Sequence, residues 1–410
     1  MRHSARNVNE TTLMRDLRPL LLVVAIAAAA NFAYFHYGNG DFFYPDSFTY
    51  LTPAKSLLHG VGFVTNGRPE TMRTPVYPLL LALIGLRVVA TVVLQHLLNI
   101  ALAAGVWWVV RRRGGSAWLA FGAAMLFALD VPSLHYSNKV LTETLFAALL
   151  FVIFLLTLRA TSRRALVIDG LLVGALVLVR PVAIAYVVVI AIFFAITRVR
   201  GIALFVIAAL ILPLGWAARN WRETGVFTVS SIAGTNLLMY RAAGAIAMET
   251  DDDFAPALAD AQQELLEVAE EQLMDGMSHA QRSVIYSSIG RKVLREHPRG
   301  ASLLTLRGLL VNAFDSDWEA IMIVSSVPSS IIQLAIDAFT AISFAAALLG
   351  IFALWHRDRP LSLLIALTVA YFLFIAAGGE AEARFRVPVA PMLAIAAAHG
   401  FAKARSTPSR

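Results

Sequence analysis

The sequence predicts an all-α protein that crosses a membrane many times, and three observations carry that expectation. Hydrophobic residues make up 58% of the 410 and charged residues only 15%, with a mean hydropathy of +0.69. A soluble domain of this size has too little polar surface to cover so much apolar material, whereas lipid accommodates it. The apolar residues also come in long runs: Leu20–Ala30, Leu145–Leu158 and Ile202–Leu214 hold no charge. Finally, the basic residues alternate along the chain with apolar segments, as the positive-inside bias of membrane proteins requires.

By length and apolarity, about ten spans are expected, near residues 17–36, 88–110, 116–131, 141–158, 165–179, 181–197, 201–217, 331–355, 361–377 and 387–402. With the N-terminus in the cytoplasm, every cytoplasmic connection is basic. Arg2, Arg6, Arg15 and Arg18 precede the first span, and Arg111–Arg113, Arg159, Arg163, Arg164, Arg198 and Arg200 occupy the next inside loops. Arg357, Arg359, Lys403, Arg405 and Arg410 complete the set. The opposite orientation would place all of these clusters outside. The protein is therefore expected in the cell (inner) membrane as a multi-pass protein with both termini cytoplasmic, and nothing in its charge calls for a nucleic-acid partner. The basic, apolar N-terminus reads as an uncleaved first span, since Asn31-Phe-Ala-Tyr-Phe-His is bulky and aromatic where a signal peptidase needs small residues. The absence of cysteine excludes disulfides and thiolate chemistry.

Three regions follow: an N-terminal transmembrane module (1–217) with a long first outer loop (37–87), a second outer loop (218–330), and C-terminal transmembrane helices (331–410). In the first loop Tyr50–His59 has a helical pattern, and Val76–Leu86 is apolar but too short to span, which suits a helix lying in the interface. In the second, residues 242–281 contain ten acids and, between Arg241 and Arg282, no Lys or Arg. Leu258, Leu265, Leu266 and Leu273 recur at near-helical spacing, so Pro256–Leu273 reads as an amphipathic helix with a solvated acidic face. Ser302–Ser326 carries Arg307, Asp315, Asp317 and Glu319 and reads as an interfacial helix rather than a span.

Ionisable groups at membrane depth are expensive, so those gathered at one side are candidates for chemistry. Asp46, Arg73, Lys139, Glu143, Arg180, Arg219, Arg222, Glu380, Glu382, Arg384 and Arg386 all fall near outer ends of spans, from distant parts of the chain. A carboxylate facing several arginines suits a base beside a phosphate-bearing group. Plainer readings exist for four of them. Asp46 follows Pro45 before a helix and could be its N-cap. Glu143 could be a first-turn acid favoured by the helix dipole, and Arg384 and Arg386 could anchor the last span at headgroups. Trp216 and Trp221 read as belt residues, and His96 as a helix–helix hydrogen-bond partner.

The stretch Asp46-Ser-Phe-Thr-Tyr-Leu-Thr-Pro through Gly60-Val-Gly-Phe, followed by Arg73-Thr-Pro-Val-Tyr-Pro, resembles the first outer loop of the GT-C membrane glycosyltransferases. The protein O-mannosyltransferase and lipid A aminoarabinose transferase branch is the nearest in pattern. Leu141-Thr-Glu-Thr-Leu-Phe, Trp216-Ala-Ala-Arg-Asn-Trp-Arg-Glu-Thr-Gly and Glu382-Ala-Arg-Phe-Arg-Val-Pro agree in order and sidedness. The resemblance implies a GT-C-like bundle and an inverting transferase that takes a sugar from a polyprenyl-phosphate donor. The acceptor would be a glycan, lipid or protein outside the cytoplasm. It implies Asp46 as the base, with Arg73, Arg384 and Arg386 at the donor phosphate. Glu143, Lys139, Arg180, Arg219 and Glu382 would support them. It implies no organic cofactor. Some relatives carry an acid, implicated in metal binding, just before the residue that Arg73 matches; Met72 stands there, so no bound metal is expected. Ser47 also replaces the second of two adjacent acids found in many relatives. Two other classes compete: an O-antigen ligase or polymerase, whose essential residues would lie in the late loop, and a lipid or solute transporter, which would show repeated halves and broken mid-membrane helices.

Overall fold

The computed structural model describes residues 10–38, 40–250, 252–317 and 330–406. The described chain is helical apart from loops and one two-stranded hairpin, Val64–Thr65 (β1) with Arg68–Pro69 (β2). A helix lies at each of the ten expected spans: α1 Glu10–Tyr37, α4 Val88–Arg112, α5 Ala117–Ala128, α7 Glu143–Thr157, α8 Arg163–Val179, α9 Tyr186–Ile196, α10 Ile202–Thr224, then α16 Ser330–Trp355, α17 Arg359–Ile375 and α18 Ala390–Ser406. Between them lie α2 Ser47–Leu58, α3 Val76–Leu83, α6 Val131–Ser137, α11 Ile232–Asn236, α12 Ala243–Ala247, α13 Phe254–Glu270, α14 His279–Glu296 and α15 Pro298–Phe314.

Among the described residues, five stretches are long and apolar enough to cross a bilayer by themselves: Arg18–Tyr37, Val88–Arg112, Ile202–Thr224, Gln333–Trp355 and Ala383–Ala402. The other five expected spans are shorter, and one is broken. α5 and α6 together pass the same test but bend by 54° at Leu129–Asp130. The Asp130 carboxylate accepts from the Ser133 amide at 3.0 Å and so starts a new helix there, with Pro132 in its first turn. Helices of this kind cross a membrane within a bundle whose neighbours satisfy the freed backbone groups.

The main core joins α1, α4, α5, α7, α8, α9, α10, α16, α17 and α18 around Phe127, Phe146, Phe154, Tyr186, Phe194 and Phe205, all fully buried. Small residues set the closest pairings. Gly170 and Gly174 of α8 meet Ala208 and Ala209 of α10, and Gly350 and Gly400 let α16 and α18 touch along their backbones. Lipid offers no hydrophobic drive for helix association, so such close backbone approach supplies the attraction through dispersion. His96 of α4 bonds Asn31 of α1 at 2.8 Å and Asn138 after α6 at 3.2 Å, the helix–helix role expected of it.

At one end of the bundle the arginine-rich loops meet: Arg113 after α4 pairs with Asp358 before α17 at 2.8 Å. At the other end lie the two long loops. The acidic helix forms as α13, but its buried face is Ala257, Ala261, Leu265 and Ala269, so of the expected leucine stripe only Leu265 is buried. Alanine allows α13 to lie close on Leu238, Ala242 and Ala243. α3 has eight residues, too few to cross. The first part of Ser302–Ser326 lies in α15, which ends at Phe314; residues 318–326 of that stretch, with Glu319, lie outside the described residues, as do Arg2 and Arg6.

Candidate active site

The polypeptide turns sharply at Pro45, and Asp46 takes the N-cap position of α2. Its side chain makes no capping bond. Thr49 Oγ1 bonds the Asp46 carbonyl at 2.6 Å instead, which leaves the carboxylate for other partners. It accepts from Nη2 of Arg73 at 2.6 Å and from Nη1 of Arg384 at 3.4 Å. The cap alternative therefore gives way to an ion-paired carboxylate.

Arg73 is held on every side. Nε donates to Thr49 Oγ1 at 2.8 Å and Nη1 to the Tyr50 hydroxyl at 3.1 Å, while the guanidinium lies 4.5 Å over the Tyr50 ring. Tyr50 packs edge-on against Tyr77, whose hydroxyl donates to Gln95 Oε1 at 2.8 Å; the Gln95 amide in turn holds the carbonyls of Ser137 and Lys139. A rigid line thus runs from α4 to the arginine that grips Asp46. The turn before Arg73 is fixed by Glu70, whose Oε1 accepts from the amides of Met72 at 2.5 Å and Arg73 at 3.0 Å. That carboxylate is committed to the turn. Among the described residues there is no group of three or more His, Cys, Asp or Glu placed to hold a metal ion.

Arg384 arrives from the other end of the sequence, in the 3₁₀ turn Ala383–Val389 before α18. Its guanidinium joins three acids: Asp46, Glu143 at 3.9 Å, and Glu382, its short-range partner through Nε. Glu143, in the first turn of α7, is buried and pairs with Arg180 at 2.7 Å, at the end of α8. Tyr44 donates to Glu382 at 3.3 Å and lies under the Arg384 guanidinium, 5.2 Å from it. Three guanidiniums (Arg73, Arg180, Arg384) and three carboxylates (Asp46, Glu143, Glu382) therefore balance in one cluster.

The electrostatics separate two of the acids. Burial alone would raise Asp46, but the Arg73 and Arg384 guanidiniums outweigh it and hold the carboxyl below the usual carboxylate range. Glu382 goes the other way: burial raises it, Arg384 offsets only part of this, and Glu143 nearby adds to the rise. Burial and Glu382 push the Tyr44 hydroxyl up to about 12, so it stays a donor.

The remaining three expected site residues are engaged elsewhere. Lys139 is buried and pairs with Asp41 at 2.6 Å, also bonding the Asp41 carbonyl. Arg219 of α10 donates to the carbonyls of Glu70 at 2.7 Å and Phe63 at 2.8 Å, stacked on Trp216, and so ties α10 to the first long loop. Arg386, buried, donates to the carbonyls of Asn312, Ala313 and Asp315 and closes the C-terminal end of α15. Trp221 stays exposed. Sequence reasoning missed Tyr44 and Tyr50, the hydroxyls that orient Glu382 and Arg73; aromatic residues at a membrane boundary give no signal that separates this role from an interfacial belt.

No family model matches the chain, and no curated protein matches it. Among solved structures, it is similar to the crystal structure of ArnT from Cupriavidus metallidurans bound to undecaprenyl phosphate. The two share 16% identity with a TM-score of 0.39, over 94% of this chain and 78% of that one.

Proposed function

We propose that the chain is an inverting membrane glycosyltransferase that moves a sugar from a polyprenyl-phosphate donor to an acceptor on the extracytoplasmic side. The observation that carries this reading is the Asp46 carboxylate, held by two arginines that are remote in sequence. The four sequence stretches that resemble GT-C enzymes each contribute to that cluster or brace it: Asp46 and Arg73, Glu143, Arg219, and Glu382 with Arg384.

In the proposed reaction an acceptor nucleophile attacks the anomeric carbon, the bond from that carbon to the phosphate oxygen breaks, and the electron pair leaves on the phosphate. Asp46 takes the proton of the nucleophile as general base. Arg384 meets the negative charge that develops on the leaving phosphate, and Arg73 orients Asp46 while Thr49 and Tyr50 lock its own guanidinium. Because the cluster is already balanced, an incoming phosphate competes with the carboxylates for Arg384. As Arg384 turns to the phosphate, Asp46 loses one of the charges that hold its carboxyl down and becomes a better base. Donor binding thereby activates the base.

Arg386, with its donors on three backbone carbonyls, is assigned to holding α15 against the last loop rather than to the phosphate. The test is Asp46→Asn in purified full-length protein supplied with a polyprenyl-phosphate sugar. Loss of transfer in a folded variant is expected, and full transfer would overturn the mechanism. A ligase-like enzyme with its essential residues in the late loop, or a transporter, would tolerate the change.

A further inference from the structure

A hollow of about 260 Å³ opens between the two long loops, one residue away from Arg73. It is lined by Met72, Ser231, Thr235, His279, Arg282 and Tyr286. Apart from Met72 these are hydroxyl-bearing or potentially cationic side chains, and no acid is among them. The walls are fixed to the active site. Ser231 donates its amide to the Thr71 carbonyl at 2.8 Å, its hydroxyl lies 3.1 Å from that of Thr71, and Ser230 Oγ bonds the Met72 carbonyl at 2.5 Å. On the far wall Ser283 Oγ accepts from the Gly234 amide at 3.2 Å, pinning α14 to α11. Gly234 permits this approach, since a Cβ there would run into Ser283.

Arg282 is the unusual member. The guanidiniums of Arg73, Arg180, Arg219, Arg241, Arg384 and Arg386 all have carboxylate or carbonyl partners. Arg282 is half-buried on the hollow, yet among the described residues its side chain has neither an ion pair nor a hydrogen bond. At the start of α14 a capping box already engages the amides of Ser278 and Gln281. A half-buried guanidinium without a carboxylate or carbonyl partner, facing hydroxyls and an imidazole, suits an oxyanion.

We propose that this hollow binds an anionic group, a phosphate monoester or a carboxylate, through Arg282 and His279 with help from the hydroxyls of Thr235 and Tyr286. If the transferase reading holds, this group belongs to the acceptor, which is then delivered along the Met72–Arg73 turn to Asp46. The acceptor class is accordingly an anionic lipid or a soluble anionic glycan rather than a neutral sugar chain.

The test uses the full-length protein in nanodiscs of neutral lipid. Inorganic phosphate is titrated and its binding read by ³¹P line broadening; in a second arm, phosphatidic acid is doped into the discs and its phosphorus signal followed. Saturable binding of either probe that Arg282→Gln weakens about tenfold or more, that Arg282→Lys partly retains, and that Arg384→Gln leaves in place supports the site. Binding of phosphatidic acid alone marks a lipid-borne group, and binding of inorganic phosphate a soluble one. Binding of neither probe, or binding lost in Arg384→Gln and kept in Arg282→Gln, overturns the proposal. Asp46→Asn separates the two readings. A chain that binds the anion through Arg282 but transfers no sugar before or after that change would refute the transferase and leave the hollow standing.

Discussion

Asp46 and Arg73 lie 27 residues apart and meet in a 2.6 Å ion pair whose arginine is fixed by two further hydrogen bonds and by the face of Tyr50. The pair makes the carboxylate well oriented but weakly basic, because Arg73 and Arg384 together overcome the effect of burial. A general base in that state stays ionised as pH falls, so the acid limb of the free enzyme's kcat/KM should lie below the ordinary carboxylate range. Replacing Arg73 with Gln removes the nearer charge and leaves burial less opposed, so the Asp46 carboxyl rises. The acid limb should then move to higher pH, while Asp46→Asn should cut transfer by about 100- to 10,000-fold at every pH. A pH–rate series on the two variants measures both. An unchanged acid limb in Arg73→Gln would detach Asp46 from the limb.

Arg384 and Arg386 stand two residues apart, yet they face different partners. Arg384 joins Asp46, Glu143 and Glu382, and Arg386 joins the last carbonyls of α15. Arg384→Gln is expected to lower kcat by about 100- to 1,000-fold, the cost of losing one donor to a developing oxyanion. Arg386→Gln should retain turnover in the folded fraction but lose about 1–3 kcal/mol of stability, since buried carbonyls are left without donors. Thermal unfolding in detergent beside single-turnover kinetics distinguishes them. Equal kinetic losses in the two variants would contradict the division of roles.

Glu143 and Arg180 form a close, enclosed pair within the cluster, at 2.7 Å with side chains 3% and 15% exposed. Removing one partner of a buried pair strands the other charge, so Glu143→Gln should destabilise the protein by about 3–5 kcal/mol. Arg180→Met added to it should recover part of that loss, because no unpaired charge remains. The measurement is a double-mutant cycle on thermal stability. Additive losses would show that the two residues are not coupled.

Much of this was legible in the sequence, for reasons that are physical. A helix lies at every expected span because a run of apolar residues has no other stable form in lipid. Asp46, Arg73, Glu143, Arg180, Glu382 and Arg384 could be gathered onto one side because span order alone assigns their ends. What stayed hidden depends on targets far along the chain. Nothing near Arg386 announces the carbonyls of Asn312 and Ala313, and nothing near Arg219 announces that of Phe63. The position of Lys139 at a helix end groups it with the site, whereas Asp41, 98 residues away, takes its charge. The alanine face of α13 was hidden for another reason: hydrophobic periodicity ranks leucine over alanine, but the distance to the neighbouring segment favours the smaller side chain.

The last loop, which carries Arg384, depends on a clamp from the second long loop. Arg241, in the π-helical turn Leu237–Ala242, donates to the carbonyls of Ala377 at 2.7 Å and Ile375 at 2.6 Å and lies 3.5 Å from Glu380. Gly378 and Gly379 make room for it: a Cβ on the first would strike Arg241 and Glu380, and one on the second would sit 2.6 Å from the Tyr240 carbonyl. π-helical turns are uncommon and gather at functional places, and this one places two donors at the C-terminal end of α17, where carbonyls lack intrahelical partners. Loosening the clamp should leave the chemistry intact but mis-set Arg384 relative to Asp46. Arg241→Gln and Gly379→Ala are therefore expected to lower kcat by about 10- to 100-fold, the effect of misplacing a catalytic group by roughly an ångström, with anion binding at Arg282 unchanged. Steady-state kinetics beside the phosphate titration measures both. Normal turnover in Gly379→Ala would show that the last loop keeps its position without the clamp.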